Sequence, residues 1–374
     1  MRACVIVGTR PEAIKLAPVI RRLREAGAAC LVINTGQHRD LCSQALGAFG
    51  LNADMELATM SSGQSLGLLT SKLFAALDTV LASEPCDWVI VQGDTTSAMA
   101  GAMTAFYRRV RLAHVEAGLR TYDRLSPFPE EINRTIIAQV ADLHFAPTQR
   151  AADNLARAGV IEAAVMVTGN TVVDAIALLR PNLGARRLDD VLPAAALAQM
   201  ACGRLALVTM HRRESFGAGI ASVCEALRDL AARYEDLVIV CPVHPNPNIR
   251  KPVMRLLGGV GRVHLVDPLP YLDVMALLSR ATLVLTDSGG LQEEAPSFGK
   301  PMLILRDVTE RPEAVEIGAA RLVGTDRARI FVNACDLLDD AGAYARMAQA
   351  GNPFGDGRAS ERIAAALLQS RAPA

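Results

Sequence analysis

Short β-branched runs ending in Gly, Asp, His or Pro alternate along the chain with longer Ala/Leu/Arg-rich stretches of helical period. That alternation predicts parallel βαβ units. The first half predicts strands over Ala3–Val7, Cys30–Asn34, Trp88–Val91, Leu112–Val115, Leu143–Ala146 and Val165–Thr168. The second predicts them over Leu205–Thr209, Leu237–Cys241, Val263–Val266, Leu283–Thr286, Met302–Leu305 and Arg321–Val323. Between the two sets, Leu178–Gly203 is rich in Ala, Arg, Asp and Pro without strand pattern, and is read as an interdomain connection with a surface excursion. Apolar residues at helical spacing over Ser360–Ser370 predict a final helix, whose packing partner the pattern leaves open.

The expected fold is therefore α/β, with two Rossmann-like doubly wound parallel-sheet domains facing a cleft. The first covers residues 1–177 and the second 178–357, with a C-terminal helix in 358–374 available to rejoin the first. A length of 374 residues suits two domains of ordinary size.

Composition removes several function classes. Lys+Arg and Asp+Glu both number 39, so no whole-chain field draws the protein to nucleic acid or to an anionic membrane. No uninterrupted apolar stretch reaches the roughly 20 residues that cross a bilayer. The run Ala3–Val7 is too short for a signal peptide, so a cytoplasmic protein is expected. Eight cysteines show no C-x-x-C spacing and are read as reduced, packed thiols. Six scattered histidines lack metal-ligand spacing, so no metal is expected. The nearest approach to a dinucleotide fingerprint, Gly217-Ala-Gly219-Ile-Ala-Ser222, lacks its third glycine and follows no strand, so no cofactor is expected.

In open parallel sheets ligands bind beyond the carboxyl ends of the strands. Here those ends are polar. The first half presents Gly8-Thr9-Arg10-Pro11-Glu12 with Lys15 a turn later, Gly93-Asp94-Thr95-Thr96, and His114-Val-Glu116 through Arg120. The second presents His211-Arg212-Arg213-Glu214, His244, and Asp287-Ser288-Gly289-Gly290. Taken singly, each has a bland reading as a helix cap, a solvated loop residue or a satisfied histidine. Their recurrence at one sheet edge favours a site. Ser288-Gly289-Gly290 at a helix start offers backbone N–H groups to a phosphate, and Arg10 and Arg311 are fork-shaped partners for the same diphosphate.

Together these motifs resemble the UDP-N-acetylglucosamine 2-epimerase family of the non-hydrolysing bacterial type. The resemblance spans nearly the whole chain. It runs through Gly8–Lys15, Thr35-Gly-Gln-His38, Gly93–Thr96, His114–Thr121, Pro127–Glu131 with Asn133-Arg134, and Gly169-Asn-Thr171. It continues through His211–Glu214, His244-Pro-Asn246, Asp287–Pro296, Thr309–Pro312 and Pro353–Gly357. It implies a glycosyltransferase-B type fold, no cofactor, a homodimer, and interconversion of UDP-GlcNAc and UDP-ManNAc for polysaccharide biosynthesis. The family's catalytic positions fall on Asp94, Glu116, Glu130 and His211. Its nucleotide-sugar contacts fall on Arg10, Lys15, Arg134, His244, Ser288, Gly289, Gly290, Glu294 and Arg311. A second UDP-GlcNAc acting as activator would meet Gln37, His38, Gln64 and Arg212.

The chemistry explains the residue types. The C2 hydrogen of an aldopyranose lies beside no carbonyl, so its direct removal gives an unstabilised carbanion. Elimination of UDP from C1 with loss of the C2 proton gives a 2-acetamidoglucal, and re-addition with protonation on the opposite face inverts C2. Clustered carboxylates supply acid and base, and arginines with helix N–H groups stabilise the departing phosphate. A hydrolysing 2-epimerase that releases UDP and free ManNAc, a glycosyltransferase on the same fold, and a catalytically silent UDP-sugar sensor are the competing readings.

Overall fold

The computed structural model describes residues 1–61 and 63–370. The chain divides into two compact units: the first runs from Met1 to Leu179 and resumes at Phe354, and the second is Arg180–Pro353.

Unit 1 holds a parallel sheet of β1 (Arg2–Val7), β2 (Ala29–Asn34), β3 (Met55–Glu56), β4 (Trp88–Gln92), β5 (Arg111–Val115), β6 (Leu143–Ala146) and β7 (Val165–Val167). The spatial order is β3-β2-β1-β4-β5-β6-β7. Its connections are α1 (Arg10–Glu25), α2 (Arg39–Gly47), α3 (Leu66–Ser83), α4 (Thr96–Tyr107), α5 (Glu130–Val140) and α6 (Gln149–Arg157), with α7 (Thr171–Leu183) following β7. Strand interiors such as Ala3–Val7 and Val89–Val91 are fully buried because helices cover both faces, which is why these strands read as unbroken apolar runs. β3 went unpredicted because two residues, paired Ile33 to Met55 and Asn34 to Glu56, are too few to make an apolar pattern.

Among the described residues α3 alone is long and apolar enough to cross a membrane by length and composition. Lys72 and Asp78 interrupt it, and its Leu69, Leu73, Leu77, Val80 and Leu81 pack into the core beside the sheet.

Unit 2 holds β8 (Arg204–Thr209), β9 (Leu237–Pro242), β10 (Val263–Val266), β11 (Leu283–Thr286), β12 (Met302–Ile304) and β13 (Ala320–Leu322), all parallel, in the order β10-β9-β8-β11-β12-β13. Its helices are α8 (Ala194–Cys202), α9 (Ala218–Arg233), α10 (Pro247–Leu257), α11 (Tyr271–Arg280), α12 (Gly289–Glu294), α13 (Glu313–Glu316), α14 (Arg327–Asp339) and α15 (Ala341–Ala348). The interval Leu178–Gly203 runs mostly over the surface, as expected, but is helical in part and seated by buried side chains. It comprises the end of α7 and then α8, with Leu183, Leu188, Leu192 and Ala196 buried, because apolar residues spaced by four or five positions are enough to seat a non-strand segment on a core.

The tail returns as α16 (Ala359–Gln369), which packs on α1. Its last four residues, 371–374, lie outside the described residues. The buried Asp174 of α7 accepts hydrogen bonds from Ala359 N (3.2 Å), Ser360 N (2.8 Å) and Ser360 Oγ (2.5 Å), so a side chain from an earlier helix caps the last one. All eight cysteines are free thiols.

Strand order reverses direction between β1 and β4 in unit 1 and between β8 and β11 in unit 2. At such switch points the loops leaving neighbouring strands part to opposite faces and open a crevice. The loops there are Gly8–Arg10 and Gly93–Thr95 in unit 1, and His211–Arg212 and Asp287–Ser288 in unit 2.

Candidate active site

In unit 1, the loop after β1 is drawn tight against its neighbours. A Cβ at Gly8 would fall on the Ser97 and Thr35 hydroxyls, so only glycine fits. Glu12, in the first turn of α1 and 1% exposed, accepts from Gly8 N (3.0 Å), Thr9 N (2.6 Å) and Thr95 Oγ1 (2.6 Å). One carboxyl thereby ties the loop after β1 to the loop after β4. Burial pushes its pKa up to about 7, against the pull of these hydrogen bonds.

The Asp94 carboxylate lies on that second loop and is gripped by Arg134 of α5, whose Nε and Nη2 both reach Oδ2, the Nε at 3.1 Å. Asn133 Nδ2 donates to the Asp94 carbonyl at 2.9 Å. Behind Arg134 stands the buried Glu131, which accepts from Arg134 Nη1 (3.3 Å), Arg120 Nε (2.7 Å), Thr121 N (3.0 Å) and Tyr122 N (3.1 Å). Burial raises the Glu131 pKa, but these donors and both arginine charges outweigh it and leave the group below its ordinary value.

Glu116 follows β5 with φ of 62°, a left-handed conformation that a glutamate holds only when its surroundings impose it. Its carboxylate pairs with Lys15 of α1, both side chains being nearly buried. His114, two residues earlier, is buried and contacts the Gly93 carbonyl through Nε2 at 2.8 Å. Burial, with the neighbouring His144 and Arg134, holds its pKa near 3, so the neutral ring donates Nε2–H and braces the turn that carries Asp94. Glu130 opens α5 beside Glu131.

Gln37 accepts from Ser97 Oγ at 2.7 Å, and Ser97 in turn meets Thr35 Oγ1 at 2.9 Å. His38 titrates below its usual value through partial burial and the Arg10 charge. Arg10, Gln37 and His38 thus share one neighbourhood of unit 1. The hydrogen bonds of Gln64, to Met60, Ser61 and Lys72, stay within its own loop and α3.

In unit 2, Asp287 is 1% exposed and its Oδ2 accepts from His211 N (2.8 Å) and Arg212 N (2.9 Å). Its Oδ1 lies 2.8 Å from His211 Nδ1. The His211 and His244 rings are stacked with centroids 6.3 Å apart, and Asn246 N donates to His244 Nδ1 at 3.2 Å. Ser288 caps α12, and Gly289 lies under Arg311, where a Cβ would be 2.8 Å from Nη1. Arg311 donates from Nε to Glu293 (2.5 Å) and from Nη1 to Glu310 (3.3 Å). Buried Arg306 bridges Glu214 and Glu310. Glu310, although burial pushes the other way, is held at about 2 by Arg306, Arg311 and Arg212. Glu294 is buried at the end of α12.

Glu12, Glu131, Asp287 and Glu310 fall within the motifs read from sequence but have no individual role there, and Arg306 is outside them. Signals existed for two of them. Thr9-x-x-Glu12 has capping-box spacing, and Glu131 with Arg134 has i,i+3 spacing on one helix face.

Two doubly wound parallel sheets, each with charged loops at its switch point, define an α/β enzyme of the glycosyltransferase-B type. The family model for UDP-N-acetylglucosamine 2-epimerase matches residues 21–368. The chain is 46% identical over 373 residues to the UDP-N-acetylglucosamine 2-epimerase of Escherichia coli K12, covering 99% of each. It is 47% identical over 371 residues to a probable UDP-N-acetylglucosamine 2-epimerase of Ralstonia solanacearum, covering 98% of each. A solved UDP-GlcNAc 2-epimerase from Neisseria meningitidis, bound to UDP-GlcNAc, superposes with a TM-score of 0.89 at 40% identity over 99% of this chain and 100% of that one. The chain belongs to the UDP-N-acetylglucosamine 2-epimerase family.

Proposed function

We propose that the protein interconverts UDP-GlcNAc and UDP-ManNAc without releasing the sugar. A carboxylate base takes the C2 proton, the C2–H electron pair forms the C1=C2 bond of 2-acetamidoglucal, and the C1–O bond breaks with its electrons going to UDP. A second acid then protonates C2 on the opposite face while a UDP oxygen re-forms the bond to C1. Atoms balance with no redox partner.

The observation that carries this reading is the pairing of two carboxylates with cations on adjacent strand ends of unit 1, Asp94 with Arg134 and Glu116 with Lys15. Each pair fixes a carboxylate at a strand end in one orientation, as proton transfer to and from a sugar carbon requires. Asp94, Glu116 and Glu130 handle the proton. Arg10, Arg311 and His244, with the backbone N–H groups at Ser288, Gly289 and Gly290, hold the diphosphate as negative charge grows on it, and His211 acts beside them as a catalytic group. Lys15, Arg134 and Glu294 complete the nucleotide-sugar contacts. Gln37, His38, Gln64 and Arg212 bind a second UDP-GlcNAc that activates the enzyme. The bound UDP-GlcNAc of the Neisseria relative supports the substrate class. The working protein is a cytoplasmic homodimer, serving the synthesis of an N-acetylmannosamine-containing polysaccharide.

Incubation with UDP-GlcNAc in deuterated water, followed by NMR, tests the reading. Deuterium is expected at C2 of both UDP-GlcNAc and UDP-ManNAc. Accumulation of free ManNAc would move the enzyme to the hydrolysing type, and absence of label at C2 would sink the elimination.

A further inference from the structure

Two backbone donors and one imidazole nitrogen converge on Asp287 in a way that divides its two oxygens. Oδ2 takes both backbone N–H groups of the loop after β8, from His211 and Arg212, and Oδ1 faces His211 Nδ1. The Oδ1–Nδ1 approach of 2.8 Å is a close charge contact without the alignment of a hydrogen bond; a carboxylate oxygen and a ring lone pair would repel at that distance, so the ring proton is favoured on Nδ1. The lone pair of the neutral His211 ring is then on Nε2. His244, stacked on His211, is set the other way. A backbone N–H, that of Asn246, donates to its Nδ1, so the ring proton sits on Nε2.

We infer that Asp287 is a positioning residue, and that Asp287 and the Asn246 amide lock the two stacked imidazoles in opposite tautomers: His211 with Nδ1–H and an accepting Nε2, His244 with an accepting Nδ1 and a donating Nε2–H. The consequence is a division of labour, resting on the proposed placement of both rings at the UDP-sugar. His244 can only donate to a phosphate oxygen. His211 can take a proton, and the imidazolium so formed is stabilised by Asp287. Asp287 itself stays ionised. Burial raises its pKa, but the His211 contact and the two backbone donors hold it below the usual carboxylate range. The His244 pKa is lowered by burial and by His211, which keeps that ring neutral.

Substitution of Asp287 by Asn makes a specific forecast. The amide oxygen must stay on the two backbone donors, which turns the NH2 toward His211 Nδ1. That nitrogen becomes an acceptor and the His211 proton moves to Nε2.

The test uses the full chain labelled with 15N-histidine, with His211 and His244 resonances assigned through His211→Gln and His244→Gln. Long-range 1H–15N correlations are read at a pH above the pKa of both rings. Wild type is expected to give the Nδ1–H pattern for His211 and the Nε2–H pattern for His244. Asp287→Asn is expected to switch His211 alone and to lower kcat by about 10²–10⁴-fold with a much smaller change in KM. The same tautomer on both rings of the wild type, or an Asp287→Asn spectrum in which His211 keeps Nδ1–H, would overturn the assignment. If Asp287→Asn does not fold, the wild-type spectrum decides alone. Opposite tautomers together with no C2 exchange in deuterated water would support this assignment and defeat the proposed function. Matching tautomers with normal C2 exchange would do the reverse.

Discussion

Arg134 holds Asp94 from α5 through its Nε and Nη2, while its remaining nitrogen rests 3.3 Å from Glu131. The cation is therefore shared. It neutralises a carboxylate at a strand end and is itself fixed by a buried one, so the geometry at Asp94 is set two residues deep.

Replacing the proton-handling carboxylates by their amides keeps size and hydrogen-bonding shape but removes the basic lone pairs. Asp94→Asn, Glu116→Gln and Glu130→Gln are each expected to lower kcat by about 10²–10⁴-fold. UDP affinity, measured by calorimetry, is expected to stay within a few-fold of wild type. Near-normal turnover in all three would remove the roles assigned to them.

Glu131→Gln tests the support behind Asp94. Two arginines lose their shared counter-charge at a buried position, and breaking a buried pair from one side costs about 3 kcal/mol. The urea midpoint should fall accordingly. Turnover should fall as well, because Arg134 is free to turn from Asp94.

Glu12 links stability to pH. Its folded pKa, about 7, lies above its ordinary value of 4.5, so the folded protein binds a proton that the unfolded chain has released between those limits. Stability from this group is full below pH 4.5 and is lost as pH rises to about 7, amounting to about 3 kcal/mol. Glu12→Gln has no such proton. The stability of wild type relative to the variant should therefore decline across that window and level off above it, as followed by urea unfolding at a series of pH values; a constant difference would contradict it.

Gly289→Ala adds a methyl 2.8 Å from Arg311 Nη1. The guanidinium must shift or the turn at Ser288 must open, and either change misplaces donors meant for the diphosphate. Kd for UDP is expected to rise about tenfold, corresponding to about 1.4 kcal/mol. Gly290→Ala, whose Cβ meets only the Ser288 hydroxyl at 3.8 Å, is the matched control and should bind UDP nearly as wild type does.

The alternation of apolar runs and helical stretches, the parallel pairing it demands and the polar strand ends were all legible without coordinates, because both sheet faces are covered and every strand interior had to be apolar. β3 escaped because two residues form no pattern. Within Leu178–Gly203, α8 and the buried Leu183, Leu188, Leu192 and Ala196 were not legible, because apolar residues so sparse make no strand pattern. Asp94, Glu116 and His211 stood out by falling at strand ends, a position that local sequence reveals.

Which charges meet was another matter. Lys15 and Glu116 lie 101 positions apart, Glu12 and Thr95 83, and His211 and Asp287 76. Local propensity and periodicity act over one or two helical turns. The partners of buried charges depend on which strands become neighbours, and β1 beside β4 or β8 beside β11 is an outcome of packing across the chain. Residue types and spacing thus set the chemistry available at each strand end, and chain-wide burial chose the partner that gives each group its protonation state.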